Sequence, residues 1–447
     1  MTRLPDDVVG DAYTSDFHWD LLVDLVDVGN RMAGQAGEHE AAELVADAFD
    51  AAGLREVAID EFEIPGWWRG SSSLSLDAPV EATYEADHDV IALPGSPSGS
   101  TTAELVDVGH GTESEFEAAD VEGKVAMARS DVPDDHRWVH RMEKYASAHE
   151  HGAVGFVFRN HVDGRLPPTG EIGYHNRPGP IPAVGASKEL GARLARYAAD
   201  GAGPEVELAV DCHNEVATSR NVEAVVGPDT DEEVLVTCHV DAHDIAEGAN
   251  DNGAGTAVVA EAGRLLAQAA DRLDTRVRLI SFGSEEIGLY GAYHAAETTD
   301  LDDVRAVVNV DGAGTSRNLR VGTQGFEAVA ETFAAVARDL DAPLVKNDDV
   351  SPHGDQWAFV ERGVPAAFVS ATSESSGRGW GHTHADTLDK LDVRDLRAVS
   401  IQLAAAILEV GSDDRQFERT SPEAIADALA DGYVRELKVG DRWHFDG

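Results

Sequence analysis

From Arg220 to Val410 the chain alternates short, nearly unbroken apolar runs with longer stretches that repeat apolar residues at helical spacing. The spacing predicts strands at 221–226, 233–238, 276–282, 304–310 and 366–370, and helices at 251–268, 285–297, 325–339, 356–361 and 393–410. Strands apolar on both faces, set between amphipathic helices, require a sheet covered on both sides. The expected fold class is therefore α/β, a mostly parallel mixed sheet sandwiched by helices. In such sheets ligands bind beyond the carboxyl ends of the strands.

The 447 residues exceed what one hydrophobic core usually supports. Upstream of Arg220, helices are expected at 15–28 and 38–52, then a short strand at 56–63. Trp67 and Trp68 read as a packed corner. Residues 94–102 turn to Gly, Ser and Pro, a domain boundary by composition. The expected organisation is a first catalytic segment (1–97), a small β-rich inserted domain (98–216), the main catalytic segment (217–412) and an acidic extension with one short helix (413–447).

Asp and Glu number 83 against 35 Lys and Arg, a formal net charge of -48. The carboxylates are spread along the whole chain, so the charge belongs to the surface. Only six lysines occur: Lys124, Lys144, Lys188, Lys346, Lys390 and Lys438. Such a surface suits a salt-rich cytoplasm, where a Debye length of about 3 Å at 1 M screens self-repulsion. Nucleic acid is disfavoured as a partner, because binding phosphates needs a basic surface. Two cysteines, Cys212 and Cys238, make no disulfide framework. The first residues lack the basic and apolar regions of a signal peptide, and no apolar run approaches membrane-spanning length. The expectation is a cytoplasmic protein with peptide substrates, no membrane partner, and a homodimer allowed.

Chemistry gathers at the predicted strand ends. His239 and Asp241 follow the run ending at Cys238, and Asp251 sits twelve residues after His239 in a turn with Gly248, Gly253 and Gly255. Glu285 and Glu286 follow Phe282, Asp311 follows Val310, and His382 lies in a loop after Ser370. Zinc accepts imidazole nitrogen and carboxylate oxygen, and a two-metal hydrolase needs one carboxylate that bridges the ions. Asp251 is the candidate bridge. His239 and Asp311 would complete one metal, Glu286 and His382 the other. Adjacent residues cannot both point the same way, so Glu286 is assigned to metal and Glu285 to general base. Asp241 is placed to accept the second ring N–H of His239. Any one of these has a bland reading: a solvated carboxylate, a structural His, a helix cap at Asp251, a loop brace at Asp386.

In combination and order, His239-Val240-Asp241, Gly248-Ala249-Asn250-Asp251, Ser284-Glu285-Glu286, Asn309-Val310-Asp311 and His382-Thr383-His384-Ala385-Asp386-Thr387 resemble the co-catalytic zinc exopeptidase family. That family includes leucyl aminopeptidases, glutamate carboxypeptidase and carboxypeptidase Q. The resemblance implies the zinc exopeptidase fold, two divalent ions (Zn2+, with Co2+ as a substitute), the five ligands just named with Asp251 bridging, and Glu285 as base. The gap from His239 to Asp251 and the segment from Phe62 to Gly70 look most like the carboxypeptidase Q branch. Gly123-Lys124-Val125 and Gly152-Ala153-Val154-Gly155 resemble a protease-associated domain. Gln356 departs from the pattern, standing where many members carry His. His243 and His384 are extra imidazoles near the site, for which exposed loop His is the plain alternative.

The expected activity is a metal-dependent exopeptidase, foremost an aminopeptidase. A dipeptidase or carboxypeptidase is the alternative and would need a cation, such as Arg378, to hold a terminal carboxylate. From other classes come a non-catalytic receptor-like module, which the complete ligand set disfavours, and a one-zinc cyclotransferase.

Overall fold

The computed structural model describes residues 3–173, 177–199, 203–372 and 379–445. Three helices lead in: α1 (Asp6–Ala12), α2 (Phe17–Asp27) and α3 (Ala36–Ala51). Then come β1 (Arg55–Leu76), β2 (Ala82–Tyr84), β3 (Val90–Ala92) and β4 (Gly99–Gly109). The insert continues with α4 (Glu113–Ala118), β5 (Val125–Arg129), α5 (Arg141–Glu150), β6 (Gly155–Arg159), β7 (Ala183–Ala186) and α6 (Lys188–Ala198). A long β8 (Glu205–Val226) returns the chain to the main body. There β9 (Glu233–His239), α7 (Ala254–Gln268), β10 (Arg276–Phe282), α8 (Tyr290–Thr298) and β11 (Val304–Val310) follow. The rest is β12 (Leu319–Gly322), α9 (Glu327–Asp339), β13 (Leu344–Asn347), α10 (Trp357–Val360), β14 (Ala366–Ala371), α11 (Val393–Val410), α12 (Pro422–Ala428) and α13 (Asp431–Val439).

The strands form one path, β13-β12-β14-β11-β9-β10-β8-β4-β5-β6-β7-β3, with β1 on β8 and β2 on β1. Pairing is parallel for β10 with β9, β9 with β11 and β11 with β14, and again from β4 through β7. Strand β8 runs antiparallel to β10 at one end and to β4 at the other, so it joins the catalytic and inserted parts through one ladder. The all-buried β9, for example, packs Val234 and Val236 against α7 and α11 on one face and Leu235 toward a second cluster with Phe282 and Phe359 on the other.

Three expectations need correction. The double-tryptophan segment is not a corner. It lies inside β1, which pairs with β8 along most of its length. Trp67 is buried and its indole N–H donates to the Ser96 carbonyl, while the Arg69 guanidinium lies over the Trp67 ring at 4.9 Å. The extension carries two helices, not one, since Pro422 starts α12 and Ala430 breaks the chain before α13. It also packs inward, with Leu429 and Leu437 in the core. Finally, the helix expected at 285–297 begins at Tyr290, for reasons that belong to the site.

Candidate active site

The C-terminal ends of β9, β10 and β11 point into one cavity of about 250 Å³. His239 is the last residue of β9 and is fully buried; Asp311 follows β11. Between β10 and α8, Ser284 and Leu289 take left-handed backbone (φ 62° and 59°), so 285–289 form a loop rather than a helical turn. Asp241 holds that loop. Its two carboxylate oxygens accept the backbone N–H groups of Glu285 and Glu286 at 3.1 and 3.2 Å. The sequence placed Asp241 on His239 alone. Here the Asp241 carboxylate stands 3.4 Å from His239 Nδ1, and the closer partner of that nitrogen is the Asp241 backbone carbonyl at 3.1 Å.

Asp251 is freed from helix capping by its neighbour. Asn252 Oδ1 accepts the Gly255 N–H at 3.0 Å and Asn252 Nδ2 donates to the Val310 carbonyl at 2.8 Å, so the helix starts at Ala254 and not at Asp251. Asp386 is the brace: its carboxylate accepts the N–H groups of Asn250 and Asp251 at 2.9 and 3.0 Å.

Asp251 thereby turns its two oxygens to different imidazoles. Oδ1 lies 3.5 Å from His239 Nε2, and Oδ2 lies 3.2 Å from His382 Nε2. Asp311 Oδ1 is 3.7 Å from the same His239 nitrogen, and Glu286 Oε2 is 3.5 Å from His382 Nε2. Donors bound to one zinc at 2.0–2.2 Å in a tetrahedron stand about 3.3–3.6 Å apart. His239 Nε2 is buried and makes no hydrogen bond, which is costly for a polar atom unless something else satisfies it. The residues therefore fit two ions: one among His239, Asp251 and Asp311, the other among Asp251, Glu286 and His382.

His243 joins the second group. Its Nε2 lies 2.9 Å from Glu286 Oε2 and its ring packs edge-on to His382, so the exposed-loop alternative fails for it. His384 instead meets the carbonyls of Ile245 and Asp87, outside the cavity lining. Gln356 is buried beneath the site, where its amide bridges the His353 carbonyl and Asn309. Arg378 lies outside the described residues.

Burial, with the carboxylates of Asp311 and Asp251, pushes Glu285 up to about 8 against the pull of His239. Burial and Asp251 likewise push Glu286 well above the usual range. Burial works the same way on Asp251, yet His239 and His382 hold its carboxyl well below that range. Crowded carboxylates that resist ionising together are what a cation relieves.

Residues 221–407 match the profile of peptidase family M28, and residues 101–194 that of the PA domain. The chain is a family M28 peptidase with an inserted PA domain. It is 28% identical over 411 residues to aminopeptidase YwaD of Bacillus subtilis, covering 87% of this chain and 83% of that one. To mouse carboxypeptidase Q it is 24% identical over 410 residues, covering 90% and 86%. A solved zinc aminopeptidase from Bacillus subtilis superposes with a TM-score of 0.71 at 25% identity, over 94% of this chain and 98% of that one. A peptidase M28 precursor from Shewanella amazonensis gives 0.77 at 24% identity, over 93% and 98%.

This M28 peptidase braces its site with residues that the motifs did not single out. Arg31 is buried and donates to four carbonyls, those of Leu25, Val240, Glu247 and Gly248, tying α2 to both sides of the His239–Asp251 connection. Burial lowers its pKa to about 10, against Asp386 and Asp241. The only signal for it was a cation between two glycine turns, Gly29 and Gly34. Arg69 pairs with Asp244 at 2.6 Å and reaches Thr169 of the insert. Thr169 in turn donates its backbone N–H to the His382 carbonyl at 2.8 Å, so the insert holds the loop that carries a ligand. The insert supplies Trp138, Arg141, Met142 and Glu171 to the cavity wall, and the extension supplies Arg442, paired with Glu171 at 2.5 Å.

Proposed function

We propose that this chain is a two-metal exopeptidase that releases residues from the amino terminus of peptides. The observation that carries the reading is Asp251, whose two oxygens face His239 on one side and His382 on the other. His239 and Asp311 would complete one ion and Glu286 and His382 the other; the donor set suits Zn2+, with Co2+ able to replace it. When bound, the pair of cations supplies Lewis acidity toward the scissile carbonyl and a nucleophile at neutral pH. Glu285 lines the cavity beside Asp251 and Asp311 and belongs to neither ligand group, so it is free to move a proton from the attacking water to the leaving amine. Asp241 is a positioning residue, acting through the loop it holds and the ring of His239.

The higher identity to an aminopeptidase than to carboxypeptidase Q supports the amino-terminal preference. One observation favours the second reading: Arg141 and Arg442 line the same cavity and are cations of the kind that hold a terminal carboxylate. A release assay with zinc separates the two. Free and C-amidated peptides should be cut and N-acetylated ones spared. Release from N-acetylated but not from C-amidated peptides would exchange the aminopeptidase reading for the carboxypeptidase one.

The same reading puts the enzyme in a salt-rich cytoplasm. What supports it is the net charge of -48 and its placement, for instance the exposed row Glu40, Glu43, Asp47 and Asp50 along α3. Among the described residues no helix is long and apolar enough to cross a membrane.

A further inference from the structure

Outside the Asp251 site, three side chains from three separate parts of the molecule converge. His140 caps the start of α5 in the insert, His353 sits in the loop before α10, and Glu436 projects from α13 of the extension. Their potential ligand atoms lie within 4.8 Å of one another. His353 Nε2 is 2.8 Å from Glu436 Oε1, and His140 Nδ1 is 4.0 Å from the same oxygen. Glu436 has a side chain only 3% exposed, which is costly for a carboxylate without a cation. The guanidiniums nearby are engaged elsewhere, Arg137 on Glu143 and Arg435 on Glu143 and Glu150. His140 Nδ1 accepts the Met142 N–H at 3.2 Å, so it is an unprotonated nitrogen and presents a lone pair, not a proton, toward Glu436. The His353 ring is fixed from behind by an edge-on contact with Tyr433.

We propose that His140, His353 and Glu436 form a third divalent-cation site, of the two-imidazole, one-carboxylate kind that takes Zn2+. Binding replaces the Nε2 proton of His353, released to solvent, with the cation. Spacings of 2.8 and 4.0 Å straddle the ligand separation of a tetrahedral zinc, about 3.3–3.6 Å, so shifts of a few tenths of an ångström complete the shell. His140 and His353 both line the cavity that Asp251, Glu285 and Asp311 also line, and the fourth position opens toward it. The cation would clamp insert, catalytic core and extension together at one wall of the substrate cavity. The site shares no ligand with the Asp251 pair and does not depend on it.

The test is to strip the full chain with a chelator, reload it with Zn2+ alone, count the metal per chain and locate it by anomalous scattering at the zinc edge. Three ions per chain are expected, one of them between His140, His353 and Glu436. The double variant His353→Ala with Glu436→Gln should hold two. The anomalous map of the unaltered protein gives the answer even if that variant does not fold. Two ions, both around Asp251, with no peak at the third cluster, would overturn the inference. A peak at the third cluster with none around Asp251 would support it and sink the proposed function instead.

Discussion

Glu285 and Glu286 are chain neighbours with different tasks because left-handed backbone at Ser284 and Leu289 bounds their loop and Asp241 pins both of their amides. Glu285→Gln keeps the loop and the ligands, so metal content should stay at the wild-type value while turnover falls at least about a hundredfold, the scale of general-base effects. Near-normal kcat in that variant would remove Glu285 from the role. Arg31→Met keeps the volume and removes every donor. Each carbonyl left unpaired in the interior costs about 1–3 kcal/mol, so the urea midpoint should drop sharply and zinc be held more weakly. A wild-type midpoint would mean that Arg31 braces nothing. Glu38 is the residue whose titration the fold feels most plainly. Burial, with Asp241, raises it from 4.5 to about 8, although Ser219 and the Gly34 N–H both donate to it. The folded state therefore holds a proton that the unfolded chain releases above its ordinary value. The associated stability is fully present below about pH 4.5 and is lost as the pH rises through about 8. Glu38→Gln should flatten that slope, and denaturant midpoints at pH 5 and pH 8 in both proteins would show it; equal slopes would refute it.

At the scale of elements, apolar periodicity located most of the pieces. The strand expected at 276–282 and the helix expected at 393–410 have the observed bounds. It failed where side chains compete with the helix for backbone groups. Asn252 captures the Gly255 N–H and delays α7, and Asp241 captures two amides and delays α8. Neither competitor stands out in a one-dimensional pattern, since Asp241 acts from forty-four residues away. Helix α3 carries its own prediction. Its exposed face bears Glu40, Glu43, Asp47 and Asp50, with like charges four residues apart at 43 and 47. Such pairs destabilise a helix by a few tenths of a kcal/mol in low salt and less when screened. Glu43→Lys with Asp47→Lys should raise the melting temperature in low salt and change it little in 3 M KCl. An equal shift in both would show that charge repulsion is not the cause.

For the whole molecule, the excess of carboxylates sets the conditions and the long β8 sets the geometry. Unscreened, a charge of -48 opposes the compact state. The melting temperature should therefore climb steeply between millimolar and molar KCl, and a flat response would end the salt-rich reading. The 22-residue β8 pairs with β1, β10 and β4, so the insert is fused to the catalytic sheet and its Thr169 and Arg141 arrive at the cavity in a set position.

The fold class and the five ligand candidates follow from local information, because a parallel strand declares itself by an apolar run and its functional residue sits just past the end. The resemblance then assigned their roles. What the chain could not show in one dimension was which groups meet from a distance. His243 beside Glu286, Arg31 under the metal loops, Arg442 in the cavity wall and the His140–His353–Glu436 cluster all join residues far apart in sequence. Their proximity is decided by packing and strand register, which exist only once the chain has closed on itself.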